Sequence, residues 1–292
     1  MGFSSMLHQQ AGGTVPLFVS RFPVRLLSAI RVVQYQVQSV FRKKVHFDSS
    51  SLPISIATYG HRKKYLHLTV ESILSGKVKP SGIHIWVDKS EMGSLPSGMR
   101  RFGRQGISIS FLEDGHFGHK KWLGPSKHLY EFPKGVVLAD DDFFYPDFWL
   151  EKLVGKATNN EPTVTAWRVK RITLSSEKII KPYREWERGT CESSLNFSGT
   201  GAGIFLPAGI LKKLAYSSDD HLRLTGKNDD VWICSVILSA GVRTQLASVY
   251  YPDWPQNPMQ GVAGLRDQNV GNGLIDKAVK SSLQPLISQL EK

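Results

Sequence analysis

The chain has 292 residues, of which 41% are hydrophobic and 21% charged, enough for one large α/β domain or two small ones. No apolar run reaches the roughly 18–20 residues that cross a bilayer, which argues against a membrane-spanning helix. The two cysteines, Cys191 and Cys234, form neither a disulfide framework nor a metal-ligand spacing, so we expect a cytoplasmic location.

Half of the formal net charge of +12 precedes Asp48, and we predict residues 1–48 to be a basic extension of the main domain. No Asp or Glu precedes Asp48, whereas six cations do: Arg21, Arg25, Arg31, Arg42, Lys43 and Lys44. Apolar residues recur there at helical spacing: Phe22, Leu26, Ile30, Val33, Val37, Val40 and Phe41. This pattern predicts an amphipathic helix, and we expect residues 17–44 to contact an anionic surface, peripherally at the inner membrane. The alternatives are a helix packed on the main domain with solvated charges, and a mitochondrial transit peptide.

Strands and helices alternate after this extension. The predicted strands are Ile54–Thr58, Ile83–Asp88, Ile107–Phe111 and Val136–Ala139, and Lys64–Leu74 is a predicted helix. The alternation predicts an α/β fold with a mixed, mostly parallel sheet flanked by helices, and the first two strands suit a βαβ unit. We expect this domain to span residues 49–255 and residues 256–292 to form a tail that packs on it.

Three consecutive aspartates, Asp140, Asp141 and Asp142, directly follow the last predicted strand. Ligands of open α/β sheets bind at strand ends. At ~4 Å and an effective dielectric constant of about 20, each like-charge contact costs roughly 4 kcal/mol, which a bound cation would offset. Hard divalent ions prefer oxygen ligands, so the pattern predicts Mg²⁺ or Mn²⁺ held by one or two carboxylates and substrate phosphates. A solvated acidic turn is the alternative.

Other segments offer groups that suit a ligand site at the same strand ends. The candidates are Thr58, Tyr59 and Arg62 after the first strand, Asp88 at the end of the second, Lys127 before the aspartates, the glycine-rich turn Gly199–Gly203, and Asp229, Asp230 and Trp232 at the start of an apolar helix. A helix start with a cation suits a phosphate, and glycines permit close approach to a ligand. Each feature also has a structural explanation. The cations can be surface charges, the glycine-rich segment an ordinary turn, and Asp229 or Asp230 a helix N-cap. The histidines lack a zinc-binding spacing.

The order of these segments resembles the GT-A superfamily of nucleotide-sugar glycosyltransferases, and more narrowly the family-two-like transferases of bacterial surface polysaccharide clusters. The resemblance extends from about Leu52 to about Gly241. It depends on ISIATYGHR, IHIWVD, LGPSKHLYEFPKGVVLADDDFFYPDFWLEKL, SGTGAGIFLP and NDDVW. The third segment is the specific one, because lysine, strand, acidic triplet and Tyr-Pro-x-x-Trp-Leu occur together at the family's spacing.

The resemblance implies a GT-A (Rossmann-like) fold and a role for each segment. The implied donor and nucleotide site comprises Thr58, Tyr59, Arg62, Asp88, Lys127, Asp140 and Asp141. Asp142 and Asp140 would bind Mn²⁺ or Mg²⁺, and Gly201, Ala202, Gly203 and Trp232 would contact the donor or acceptor sugar. Asp229 or Asp230 matches the catalytic acid pair of inverting members. The family's usual Glu-Asp is Asp229-Asp230 here, so the choice of base stays open.

The chemistry of sugar transfer asks for the same groups. Negative charge builds on the leaving phosphate, where a metal and cations stabilise it, while a carboxylate deprotonates the acceptor hydroxyl. We therefore expect a metal-dependent, inverting glycosyltransferase that moves a sugar from a nucleotide-sugar donor to a glycan or lipid-linked glycan acceptor of a capsule or lipopolysaccharide. A nucleotidyltransferase that releases pyrophosphate is the enzyme alternative. A nucleic-acid binder, suggested by a pI near 9.6, is the non-enzyme alternative, but no nucleic-acid-binding motif occurs and no nucleic acid is expected as a partner.

Overall fold

The computed structural model describes residues 22–156, 163–248, 254–255, 257–258 and 273–289, with side chains from residue 26 onward. Its strands are β1 (Ile54–Ala57), β2 (Ile83–Asp88), β3 (Ser108–Leu112), β4 (Gly135–Ala139), β5 (Val164–Arg171), β6 (Asn196–Pro207) and β7 (Thr244–Leu246). Its α-helices are α1 (Phe22–Phe41), α2 (Leu66–Leu74), α3 (Ser97–Arg100), α4 (Phe102–Gln105), α5 (Lys120–Lys127), α6 (Trp149–Val154), α7 (Ala208–Tyr216), α8 (His221–Thr225), α9 (Asp229–Ser239) and α10 (Leu274–Gln289). A 3₁₀ helix, Gly60–Lys64, precedes α2.

One sheet contains the seven described strands in the order β3-β2-β1-β4-β6-β5-β7. Parallel pairing joins β1 to β2 and β4, β2 to β3, and β5 to β7. Strand β6 alone among them runs antiparallel to its neighbours, β4 and β5. The predicted mixed, mostly parallel α/β sheet is confirmed, and β1, α2 and β2 form the predicted βαβ unit.

The central strands are apolar because helices cover both faces of the sheet. Every residue of β4 is buried, as parallel strands with two covered faces require. Val137 and Ala139 pack into one hydrophobic cluster with β1 and α2, whereas Val136 and Leu138 pack into a second cluster on the opposite face. The two hydrophobic clusters therefore hold β4 from both sides and set the position of the aspartates that follow it.

The glycine-rich segment differs from the sequence prediction. It was predicted as a turn that enters a strand, but it lies inside β6, which is continuous for 12 residues. The pairing of β5 with β6 shifts register between Ala166 and Arg168, opposite these glycines. Gly203 has φ +106°, and a Cβ there would lie 2.6 Å from the Trp149 indole. The glycines thus allow β6 to pass close to bulky neighbours without leaving the sheet.

The N-terminal extension is helical from Phe22 to Phe41 and packs beside α2. The contacts are polar and apolar: Arg42 binds Glu71 at 2.8 Å, and Gln36 Oε1 lies 2.8 Å from His67 Nε2. Tyr35 packs in a small hydrophobic cluster with Leu68 and Phe144. Residues 17–21 of the predicted membrane-binding segment and the side chains of residues 22–25 lie outside what the structure describes. None of the described helices is long and apolar enough to cross a membrane.

Near the other terminus, α10 packs against α8 and α9 through its apolar side chains. Leu283 and Ile287 are buried in this contact. Outside α10, the structure describes residues 257–258 and 273 of the predicted tail, and Asn257 donates a 2.9 Å hydrogen bond to Thr69.

Candidate active site

The three aspartates lie where β4 ends, beside the ends of its neighbours. Strand β1 is adjacent and parallel to β4, so Thr58 follows β1 at the same edge of the sheet. Strand β2 is the next neighbour and ends at Asp88. The residues predicted from separate segments are therefore grouped at the carboxyl edge of the parallel strands, where α/β folds bind ligands.

Arg62 pairs with two of the aspartates. Its Nη2 lies 2.5 Å from Asp141 Oδ1 and 2.8 Å from Asp142 Oδ2. Asp141 is buried, and Thr58 Oγ1 donates a 2.7 Å hydrogen bond to its other carboxylate oxygen. Because both oxygens of Asp141 are bonded within the chain, we assign it to holding Arg62 and the β1 end in place.

Lys121, at the start of α5, connects the aspartates to the opposite side of the site. Its Nζ lies 2.5 Å from Asp140 Oδ1, 2.8 Å from Asp229 Oδ2 and 2.6 Å from Thr200 Oγ1. The lysine is buried, so the ammonium group depends on these partners for its hydrogen bonds. One side chain thereby joins β4, β6 and α9.

The neighbouring acids Asp229 and Asp230 occupy the first two positions of α9, but neither side chain caps the helix. The N-cap residue is Asn228, and it makes no side-chain capping bond. Asp230 Oδ1 accepts 2.8 Å and 2.6 Å hydrogen bonds from the Thr200 backbone N–H and hydroxyl, respectively. Asp229 is buried against Lys121, whereas Asp230 is half-buried. The two acids therefore have different surroundings.

The surroundings move the pKa values of these acids in opposite directions. Burial and the charge of Asp229 together raise the pKa of Asp230 to about 6, against the effect of Lys121. Burial also acts to raise the pKa of Asp229, but the nearby Lys121 outweighs it and leaves that pKa below its usual range. Asp229 is thus held as a carboxylate beside Lys121, and Asp230 can exchange a proton near neutral pH.

His119 supports the loop that leads into these acids. Its Nδ1 accepts a 3.1 Å hydrogen bond from Trp122 Nε1, so its Nε2 carries the proton that it donates to the Gly226 carbonyl oxygen at 2.9 Å. Burial lowers the pKa of His119 to about 4, although Asp229 acts to raise it. A neutral histidine therefore holds the residues just before α9.

A second ion pair lies at the end of β2. Lys120 Nζ is 2.5 Å from Asp88 Oδ2, and the lysine is fully buried. The Tyr59 ring has Arg62 and Lys120 each 5.8 Å from its centroid, at cation–π distances. Lys120 therefore lies between the Tyr59 ring and the carboxylate at the end of β2.

Two glycines allow close approach to the acidic side chains. A Cβ on Gly201 would lie 2.8 Å from Asp140 Oδ2, and one on Gly118 would lie 2.9 Å from Asp229 Oδ1. The Tyr145 hydroxyl accepts a 2.8 Å bond from the Asp140 backbone N–H and donates a 3.0 Å bond to the Gly201 carbonyl oxygen. Tyr145 therefore fixes the spacing between the ends of β4 and the middle of β6.

Not all the sequence candidates belong to this group. Lys127 is exposed at the end of α5, with no ion pair to a described residue. Ala202 and Trp232 are buried in the hydrophobic clusters, and Gly203 packs on Trp149. Gly201 alone of the four proposed sugar-contacting residues touches an acid of the site within the described chain.

Sequence reasoning missed three residues: Lys120, Lys121 and Thr200. The available signal was a pair of adjacent lysines followed at once by Trp122 and Leu123, since charges inside a short apolar helix need partners. Nothing in that pattern identifies the partners, because Thr200 and Asp229 are 79 and 108 positions from Lys121.

The residues present fit a divalent metal ion bound together with a phosphate. Asp142 Oδ1 is buried and has no hydrogen-bond partner among the described residues. The linked cluster has five carboxylates, those of Asp140–Asp142 and Asp229–Asp230, against the two cations Arg62 and Lys121. Burial, together with Asp141 and Asp140, raises the pKa of Asp142 to about 7 against the effect of Arg62. No three His, Cys, Asp or Glu side chains form a full ligand set in the described chain, and Mg²⁺ commonly uses one or two carboxylates plus substrate phosphates.

Comparison with known proteins identifies no family. No protein-family model and no curated protein matches the sequence. The structure of GalNAc-T7 with UDP, GalNAc and Mn²⁺ aligns with 67% of this chain and 42% of its own, at 12% identity and a TM-score of 0.46. The structure of 4-diphosphocytidyl-2C-methyl-D-erythritolsynthase from Anaerococcus prevotii DSM 20548 aligns with 68% of this chain and 89% of its own, at 10% identity and a TM-score of 0.43. This chain thus matches less than half of the first protein, and nothing about its own ligands follows from likenesses this distant.

Proposed function

We propose that this protein is a metal-dependent glycosyltransferase that moves a sugar from a nucleoside diphosphate to a hydroxyl acceptor with inversion. One observation supports this most directly: Lys121 joins Asp140, on the side of the acidic triplet, to Asp229, beside Asp230. A metal and phosphate site and a candidate base are thereby held within one cluster. Sugar transfer needs both, on opposite sides of the reacting carbon.

The proposed donor site combines the triplet with the β1 and β2 ends. Asp142, with Asp140, would hold Mn²⁺ or Mg²⁺, which would stabilise the charge that builds on the leaving diphosphate. Arg62 adds a fixed cation beside the same oxygens. Tyr59 and Asp88 would contact the nucleoside through ring stacking and a hydrogen bond.

The proposed base is Asp230. Both bonds from Thr200 reach its Oδ1, which leaves Oδ2 for the acceptor hydroxyl. Its pKa of about 6 lets it act as a carboxylate at neutral pH and still accept a proton readily. Asp229 is a positioning residue instead, because its carboxylate is bound to Lys121.

The acceptor we propose is a glycan or lipid-linked glycan of a bacterial surface polysaccharide, such as a capsule or lipopolysaccharide. The enzyme would act in the cytoplasm, peripherally at the anionic inner membrane. The basic extension supports this partner, since its six cations precede the first acid of the chain.

A ligand screen tests the donor site. Thermal shifts with nucleoside diphosphates and Mn²⁺ should show that one nucleotide stabilises the protein only with the metal; ligand at 100 times its Kd adds about 2.7 kcal/mol. Asp142→Asn should abolish the metal-dependent part of the shift. Asp147→Asn, which changes an exposed acid five residues away, is the matched control. An equal shift in Asp142→Asn and wild type would contradict the metal assignment.

Product analysis then separates the two enzyme classes. A glycosyltransferase releases a nucleoside diphosphate from a nucleotide sugar, whereas a nucleotidyltransferase releases pyrophosphate from a nucleoside triphosphate. Incubation with each donor class and Mn²⁺, followed by assays for both products, distinguishes them. Pyrophosphate release dependent on Asp142 would overturn the proposal.

A further inference from the structure

The helix α1 packs on the main domain through Tyr35, Val32 and the polar side chains around them. Tyr35 and Ser39 are buried, the Arg101 guanidinium donates a 2.9 Å bond to Ser39 Oγ, and the Tyr35 ring meets Phe144 edge-on at 5.1 Å. Arg42, just past the helix, binds the buried Glu71. This is the reverse of an ordinary surface helix, whose apolar stripe faces the core.

The apolar stripe of α1 consequently faces away from the domain. At about 100° per residue, Val33 and Val37 each lie about 200° from the buried Tyr35. The stripe comprises Leu26, Leu27, Ile30, Val33, Val37, Val40 and Phe41, all between 48% and 75% exposed. These are seven of the fourteen large hydrophobic side chains that are exposed in the described chain, and they occupy 16 consecutive residues. An exposed apolar patch of this length marks an interaction surface.

The charges around the stripe indicate which partner covers it. Lys43 and Lys44 are exposed just beyond the end of the helix. Arg31 is also exposed, but it lies on the side of Tyr35, with its guanidinium 5.9 Å from the centre of that ring. The sequence adds Arg21 and Arg25 and contains no acid before Asp48. An apolar stripe with cations beside it and no acids suits an anionic lipid surface, where the stripe enters the acyl boundary and the cations meet the headgroups.

We infer that the outward stripe of α1 is a lipid-contacting surface, by which the protein lies on an anionic bilayer with α1 parallel to the membrane plane. This inference deepens the membrane partner of the proposed function and does not depend on the transfer chemistry. Because Arg42, Gln36 and Tyr35 bind α1 to the domain, the helix would fix the orientation of the whole domain relative to the lipid.

Point variants test this surface better than removal of the whole extension before Asp48, because that removal would leave Glu71 buried without Arg42. The test variant is Ile30→Gln/Val33→Gln/Val37→Gln in the full chain. The control is Met92→Gln/Ile179→Gln/Tyr216→Gln, which replaces equally exposed apolar side chains elsewhere. Flotation measures binding to two kinds of vesicle. One is phosphatidylcholine alone, and the other is phosphatidylcholine with roughly 30–40% phosphatidylglycerol, which makes the surface anionic.

Wild type and control should bind the anionic vesicles, and the stripe variant should bind at least about 10-fold more weakly, since each apolar side chain removed loses its transfer free energy. Binding of the wild type should fall with added salt. Circular dichroism and melting temperature should match in all three proteins. Equal vesicle binding by stripe variant and wild type would overturn the inference.

Two further measurements show whether a second copy of the chain covers the stripe and whether nucleotide binding is retained. If sedimentation shows a wild-type dimer that the stripe variant dissociates, and vesicle binding is absent, a second copy covers the stripe and the lipid inference is wrong. Nucleotide binding with Mn²⁺ is measured on the same samples. Failure of the wild type to bind anionic vesicles, with nucleotide binding intact, counts only against the lipid surface, whereas vesicle binding by a wild type that binds no nucleotide counts only against the transferase.

Discussion

The ammonium nitrogen of Lys121 lies 2.8 Å from Asp229 Oδ2, inside the protein, and so ties the first turn of α5 to the first turn of α9. The pKa of Lys121 lies above its usual range because Asp140, Asp229 and Asp230 together outweigh the effect of burial. The lysine is therefore charged at neutral pH. It is both a structural connection and a cation that acts to lower the pKa of the proposed base.

Lys121→Met is expected to destabilise the protein and abolish transfer. The substitution leaves Asp229 buried without its cation, and breaking a buried pair costs about 3–5 kcal/mol. Urea unfolding gives the free energy, and donor turnover gives the activity. Lys127→Met changes an exposed lysine of the same helix and should alter stability by less than about 0.5 kcal/mol. Similar effects of the two substitutions would contradict the role of Lys121.

Asp230→Asn should separate catalysis from binding. Asparagine keeps the shape and the oxygen that accepts from Thr200 but removes the basic carboxylate, so kcat should fall by about 10²–10⁴-fold with donor affinity unchanged. Asp229→Asn should chiefly lower stability, because it weakens the pair with Lys121. A larger loss of kcat from Asp229→Asn at full stability would assign the base to Asp229 instead.

The sequence was sufficient to predict the edge of the sheet at which the site lies. Strands β1, β2 and β4 are short apolar runs followed by polar residues, and parallel strands bring those residues together. The sequence alone therefore groups Thr58, Arg62 and Asp141. The contacts that each of them makes could not be predicted, because Arg62 and Asp141 lie 79 positions apart and charge alone does not specify a partner.

The parts that sequence could not predict depend on long-range packing. The glycines of β6 match a turn by composition, yet pairing with both β4 and β5 holds them in a strand. Periodicity identifies two faces of α1 but not which of them the domain covers. That choice depends on Glu71 and His67, whose polar side chains face α1 and receive its polar side.

Stability should fall as the pH drops below about 6.5. The pKa of His119 is about 4 in the folded protein, so between these values the unfolded chain binds a proton that the folded chain does not. The loss from this residue should approach roughly 3 kcal/mol by pH 4. In His119→Asn, unfolding free energies from pH 7 to 5 should decline less steeply than in the wild type. His61→Asn, at an exposed position, should keep the wild-type slope, and an unchanged slope in His119→Asn would argue against the assignment.

Gly201→Ala should impair catalysis while the fold stays intact. The new Cβ would lie 2.8 Å from Asp140 Oδ2, closer than carbon and oxygen tolerate, so the carboxylate must move. Asp140 is constrained, because Lys121 holds its other oxygen and Tyr145 holds its backbone N–H. The side chain would therefore move within the metal and donor site, where a displacement of about 1 Å can reduce turnover 10²-fold.

The neighbouring Gly199 provides a matched control for this prediction. An alanine Cβ at Gly199 would meet its nearest atoms at 3.9 Å, which is ordinary contact, in the same strand and only two residues away. Gly199→Ala should keep wild-type turnover and donor affinity. Metal-dependent donor binding, by calorimetry at several Mn²⁺ concentrations, should weaken in Gly201→Ala alone. If both alanine variants lose activity equally, the effect belongs to the stiffening of β6 and not to contact with Asp140.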